Sequence, residues 1–168
     1  MHWSSIGGRK HSGKTLPQIL FRDPDYFFWA VEVGYLEQQS QTIWDEACDL
    51  YLKAKNIRIP QEGPEKQVVE YTLNDFNDKL AHVEIVPTSR PHHRRSFRVP
   101  VLDLSVGRRL CKYDKHAGEL LVIAAKELYL GGRSAPMTQA RCEAFFEDDG
   151  HFALDGVLVA GGHFESDG

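Results

Sequence analysis

Along the chain the spacing of apolar residues switches from helical to alternating and back again. After a glycine-rich start, Asp23-Pro24-Asp25 opens a run in which Tyr26, Phe27, Phe28, Trp29, Val31, Val33 and Leu36 recur too broadly for a single stripe. Aspartate is a capping residue, proline suits the first helical position, and a second aspartate favours the positive end of a helix. The pattern therefore predicts a helix over about 24–37, buried on most sides. Thr42 to Asp45 resembles a capping box, and the helix expected after it runs to about Lys55, with Ile43, Ala47, Tyr51 and Ala54 on one face. From residue 66 the period falls to two. Val68, Glu70 and Thr72 oppose Val69 and Tyr71, and His82, Glu84 and Val86 alternate with Val83 and Ile85. Phe97 to Leu104 is a third apolar stretch, which Pro100 assigns to a sheet edge or a bulge. Helical spacing returns over about 115–130, stopped by Gly131-Gly132, and again from Thr138 through Cys142, Phe145 and Phe146. Asp149-Gly150 then turns the chain into a strand expected from His151 to Val159.

These elements predict an α+β fold: an N-terminal β-hairpin plus two helices, then a small, mainly antiparallel sheet with two packed helices. Gln61-Glu62-Gly63-Pro64 is the strongest break. It divides a hairpin-helix module over 1–60 from an α+β domain over 65–160, with a frayed tail over 161–168. A length of 168 residues, 42% of them hydrophobic and 26% charged, is ordinary for a folded domain and excludes a largely disordered chain. No apolar run approaches the roughly 18 residues that a membrane helix needs, and the first residues carry no apolar leader. A cytoplasmic protein with no membrane partner is expected. Cys48, Cys111 and Cys142 form no C-x-x-C pair, so neither a zinc knuckle nor a disulfide framework is written here. Cys48 and Cys142 fall in expected helices, where a buried free thiol is the usual reading.

Charge changes the picture. The net charge of −4 hides a block over residues 88–117 that carries eight lysines and arginines against two acids, a local excess of +6. Its members are Arg90, Arg94, Arg95, Arg98, Arg108, Arg109, Lys112 and Lys115, with His92 and His93 among them and Phe97 and Tyr113 interleaved. Clustered cations neutralise phosphates and aromatic rings stack on bases. The same block could instead pair with the acidic stretches over 61–87 and 118–168, or with a partner protein.

One motif matches a known expression. Gly8-Arg9-Lys10-His11-Ser12-Gly13-Lys14-Thr15 satisfies the phosphate-binding GxxxxGK[ST]. That chemistry needs an apolar strand before the loop and a helix after it, and six residues with two serines precede Gly7, while Pro17 follows almost at once. Lys10 to Leu16, taken with Asp23-Pro24-Asp25-Tyr26-Phe27-Phe28-Trp29, resembles the short C-terminal module of bacterial and phage exodeoxyribonuclease X-like proteins. A related group of unknown function that includes a quorum-sensing-regulated virulence factor shares the pattern. The resemblance covers about residues 6–37 and implies a β-hairpin turning at Gly13 with the Tyr26/Trp29 helix packed on it. It also implies association with nucleic acid, with Arg9, Lys10, His11 and Lys14 exposed. Ile6-Gly7 stands where the pattern has aromatic-glycine, and Arg9 lengthens the loop by one residue.

Metal or nuclease chemistry has less behind it. His92 and His93 are adjacent and point apart in an extended segment. Asp103, Asp114 and His116 follow no ligand spacing, Ile123 to Lys126 lacks the acid of a nuclease strand motif, and Glu147 to Gly150 lacks the alternating oxygens of a calcium loop. The reading is thus a non-enzymatic, nucleic-acid-associated accessory protein of bacterial or phage type, with no metal and no cofactor expected. Its phosphate contacts are Arg90, Arg94, Arg95, Arg98, Arg108, Arg109 and Lys112, seconded by Lys10, His11 and Lys14. The alternative is a protein-interaction or inhibitor module using its acidic and basic faces.

Overall fold

A computed structural model describes residues 2–154. Helices and antiparallel strands share the chain, as the α+β reading expects. The start returns on itself: Ser5 bridges Thr15, Ile6 N–H donates to the Lys14 carbonyl, and Gly13 N–H donates to the Ile6 carbonyl. This is a hairpin reduced to a single bridge. Four helices follow, α1 (Leu16–Arg22), α2 (Pro24–Glu32), α3 (Tyr35–Gln39) and α4 (Gln41–Ala54), where two were expected. The additional α1 exists because Thr15 and Gln18 form a reciprocal capping box and Pro17 occupies the first turn, where its missing N–H costs nothing. The expected 24–37 helix stops at Glu32 because Gly34, at φ +78°, breaks the backbone path. The cap of α4 is Ser40, whose hydroxyl accepts from Ile43 N–H, and not Thr42.

The sheet follows the alternation. β2 (Gln67–Leu73) lies between β3 (Leu80–Pro87) and β4 (Ser96–Val99), antiparallel to both, so β4 is an edge as Pro100 requires. Beyond Pro100, β5 (Val101–Leu102) pairs with β1 (Ile57–Arg58). A short α5 (Val106–Leu110) leads to α6 (Lys115–Tyr129), and α7 (Gln139–Glu147) starts at its cap Thr138. The expected strand from His151 is, within the described residues, a 3-10 turn over Asp149–His151 and a single bridge from Phe152 to Ile57; its remainder, and the 161–168 tail, lie outside them.

One apolar core takes residues from both sides of the Gln61–Pro64 break. Leu20, Phe27, Phe28 and Leu50 share it with Val69, Tyr71, Leu121, Phe145 and Phe146. The break is a loop on the surface and does not separate two cores. Val69 and Tyr71 give β2 its inner face, towards the cluster that holds Val106 and Leu121. Val68, Glu70 and Thr72 occupy the outer face. Among the described residues no helix is long and apolar enough to cross a membrane. Cys142 is buried, which pushes its thiol up to about 11, whereas Cys48 is exposed and corrects the expectation of a buried thiol there.

Candidate functional site

The sheet divides the basic block. Arg98 stands directly across from Glu70 on the outer face, its Nε 2.8 Å from the carboxylate, with the Arg98 and Glu70 side chains only 9% and 5% exposed. The same guanidinium donates to the carbonyls of Thr88, Arg90 and Pro91, so it holds the 88–95 loop down over the outer face. Glu70 loses hydration there, yet the Arg98 hydrogen bond and a His93 backbone N–H hold its carboxyl below the ordinary range. Arg90 pairs with Glu84 at 2.7 Å. Arg95, at φ +56°, pairs with Asp78 and donates to the Asn74 carbonyl, bracing the β2–β3 turn. Arg94 is exposed and has no ion-pair partner among the described residues. The expectation of one row of phosphate-binding arginines is therefore corrected over this half: Arg98 is enclosed, and Arg90 and Arg95 already hold acids.

The second half of the block sits elsewhere, on α5 and the loop after it. Arg109 pairs with Asp103 at 2.7 Å, a carboxylate that also accepts from Ser105. Arg108 holds Glu32 of α2 at 2.8 Å and donates to the Lys112 carbonyl. That tie brings the 108–113 segment against α2, and with it the N-terminal loop. Tyr26, Trp29, Arg108, Lys112 and Tyr113 line a cleft of about 410 Å³. Trp29 and Tyr113 are among the few large hydrophobic residues left exposed. Tyr26 packs at 5.6 Å on Trp29, and Trp29 at 6.0 Å on Tyr35, so the rings form a continuous strip. Lys10 reaches over the rim, its ammonium 5.4 Å from the Tyr26 ring and 5.3 Å from the Tyr113 ring.

Asp23 organises this edge. Its carboxylate caps α2 by accepting from Tyr26 N–H, and it takes Lys10 at 2.9 Å and His11 at 3.1 Å. Burial opposes its charge, but the Lys10 and His11 hydrogen bonds prevail and hold the carboxyl below the usual carboxylate range. Lys10 is correspondingly raised, chiefly by that bond. Two residues on, Asp25 goes the other way: burial pushes its carboxyl up although Asp114 N–H donates to Oδ2 at 2.6 Å, and Oδ1 has no partner. Lys14 and Lys112 have no ion-pair partner among the described residues.

The phosphate-loop match does not carry its chemistry. The segment before Gly8 bridges antiparallel to the residues after it, and the Thr15 hydroxyl lies 3.1 Å from Glu143 and 3.4 Å from Gln18. Tyr26 and Trp29 are expected from the sequence in a helix buried on most sides; Tyr26 is buried, whereas Trp29 is exposed. Periodicity could not isolate the exposed side of α2, which carries Trp29, from so apolar a run. No protein-family model, curated protein or solved structure matches the chain. The class that fold and site define is thus a small α+β domain bearing a cation-rimmed aromatic cleft.

Proposed function

We propose that this is a nucleic-acid-associated accessory protein that takes unpaired bases into the Tyr26–Trp29–Tyr113 cleft, with Lys112, Lys10 and Arg108 facing the phosphates. The observation that supports it is the convergence of three rings and three cations from separate segments on one exposed cleft. Base–aromatic stacking tolerates any sequence because every base has a π-face, and it favours single strands, whose bases are free to leave the helix. Two of the three cations keep an acid beside them, Asp23 and Glu32, so stacking contributes more than charge. The resemblance of residues 6–37 to a nuclease-associated module of bacteria and phages agrees with this reading, and the setting we propose with it is cytoplasmic. The test is titration of a short single-stranded oligonucleotide against the chain, read by quenching of tryptophan fluorescence. The expected result is binding that weakens with salt at a shallow slope, reflecting roughly one to three phosphates, and that is lost in the Trp29→Ala variant. Equal binding by wild type and Trp29→Ala would overturn the reading.

The alternative, a protein-interaction module, draws on the groove between α4 and the end of α7, lined by Asp45, Glu46, Asp49, Glu147 and Asp149, of which Asp49 and Asp149 hold Lys53. Retention of the chain on an immobilised basic peptide, with no oligonucleotide binding, is the result that favours it.

A further inference from the structure

Phe76 is 97% exposed at the tip of the β2–β3 hairpin, on a turn closed by hydrogen bonds. Asn74 N–H donates to the Lys79 carbonyl, Phe76 N–H to the Asn74 side chain, and Lys79 N–H to the Asn77 side chain. Arg95 clamps both shoulders of the turn through the Asn74 carbonyl and Asp78. A large aromatic ring held in water by an ordered turn pays its full hydration cost with no return inside the chain. Exposed anchors of this kind mark interfaces, where one ring filling a pocket carries most of the binding.

The same surface offers a complementary receptor. The described residues expose four large hydrophobics, Trp29, Val33, Phe76 and Tyr113; two of them line the aromatic cleft and one is the tip. Beside Phe76 stands Asp75, exposed and without an ion-pair partner among the described residues; beside Tyr113 stands Lys112, in the same condition. With Asp75 free, Asp78 held by Arg95 and Lys79 exposed, the tip is near neutral and has no excess of cations for a polyanion or an anionic lipid surface. Its ring, with the free Asp75 carboxylate beside it, suits a ring-lined cleft with a free lysine on its rim. We infer that the chain associates with a second copy of itself, the Phe76 tip of one entering the Tyr26–Trp29–Tyr113 cleft of the other, with Asp75 meeting Lys112. The contact is heterologous: a donor surface on one copy meets a different acceptor surface on the next. A single anchoring ring makes it weak, so the association is concentration-dependent. It occupies the cleft proposed above for bases but does not rest on that use.

Two surface variants test it in the full chain by sedimentation velocity over a concentration series. Phe76→Ala removes the tip and keeps the cleft; Lys112→Asp spoils the cleft and keeps the tip, and because both positions are exposed the far-ultraviolet circular dichroism is expected to be unchanged. The wild type is expected to gain mass with concentration. Each variant alone should remain monomeric, while an equimolar mixture associates one to one, because intact tips meet intact cleft lysines. Pairing Lys112→Asp with Asp75→Lys should recover association that Lys112→Asp alone has lost. A wild type that sediments as a monomer throughout, or a Phe76→Ala variant that associates like the wild type, overturns the inference. The two proposals fail separately. Oligonucleotide binding at a concentration where the chain is monomeric should be untouched by Phe76→Ala if bases use the cleft, whatever the self-association does.

Discussion

The two halves of the basic block carry the same kinds of residue and end in different physical states. Over 90–98, two of the four arginines are structural: Arg98 is enclosed with Glu70 and fastens a loop by three carbonyls, and Arg95 braces a turn. Over 108–113, Arg108 is also tied down, to Glu32 and the Lys112 carbonyl with only 16% of its side chain exposed, but Lys112 stays exposed and unpaired among the described residues, beside the rings of the cleft. What separates the two is the partner across the way. A cross-strand glutamate on a covered sheet face encloses its arginine, whereas Asp23 and Glu32 hold Lys10 and Arg108 at the edge of exposed rings and leave Lys112 free. Local charge density therefore says little about availability.

The largest break in that comparison comes from Arg98. Replacing it with alanine leaves the Glu70 carboxylate buried without its counter-ion and frees the 88–95 loop, which is expected to cost about 3 kcal/mol and to lower the thermal midpoint by several degrees. The double change Arg98→Met with Glu70→Leu should recover most of that loss, because an apolar pair needs no counter-charge. If Arg98→Ala melted like the wild type, the guanidinium would have to be in water, and the contrast with the cleft would disappear. A smaller effect is expected from Tyr113→Ala, which leaves the melt nearly unchanged but weakens oligonucleotide binding about tenfold, near the lower end of one base–ring stack.

The helix starts and the sheet were largely legible in the sequence, because each was announced by neighbours in the chain. Asp23-Pro24 and Thr138 open α2 and α7 as expected, and the alternation from 66 to 86 became β2 and β3. The failures were of two kinds. Pro17 looked like a stop and was a start, since the same missing N–H ends a helix from inside and suits it at the first turn. The candidate site was harder, because its contacts are long-range. Arg108 finds Glu32 from 76 residues away, Tyr113 finds Asp23 from 90, and Lys10 meets Tyr113 from 103. Which cations stay free depends on those pairings, and no window along the chain contains them.

Asp23 and Asp25 sharpen the comparison through pH. A carboxyl lowered in the fold stabilises it above its unfolded value and loses that contribution as pH falls through the lower folded one; a raised carboxyl does the reverse. Asp23→Asn keeps the helix cap, since asparagine caps as well as aspartate, and removes only the charge that holds Lys10 and His11. It is expected to cost roughly 1–2 kcal/mol at neutral pH, with the difference from wild type closing in the acid range below the ordinary carboxylate value. Asp25→Asn removes a charge that burial disfavours, so its deficit at neutral pH should be smaller than that of Asp23→Asn, and the variant should gain relative to wild type as pH rises through the raised value. Denaturant midpoints measured across the acid range read both signs, and parallel curves for the two variants would contradict the opposed environments.

Arg94 gives the smallest expected effect and the cleanest discrimination. It lies in the densest stretch of the block, between His93 and Arg95, is among the expected phosphate contacts, and is exposed with no acid held among the described residues. Its loop, however, is pinned to the outer face of the sheet, while the cleft belongs to the inner-face helices. Arg94→Ala should shift stability by less than about 0.5 kcal/mol and leave oligonucleotide affinity at low salt within twofold of wild type. Lys112→Ala, equally exposed and equally unpaired, should lower that affinity and flatten its salt slope by close to one phosphate. Two free cations of equal charge would then differ only in whether a ring lies beside them. A loss at Arg94 as large as that at Lys112 would mean that polyanions follow net charge over the whole surface and that the cleft has no privileged part in binding them.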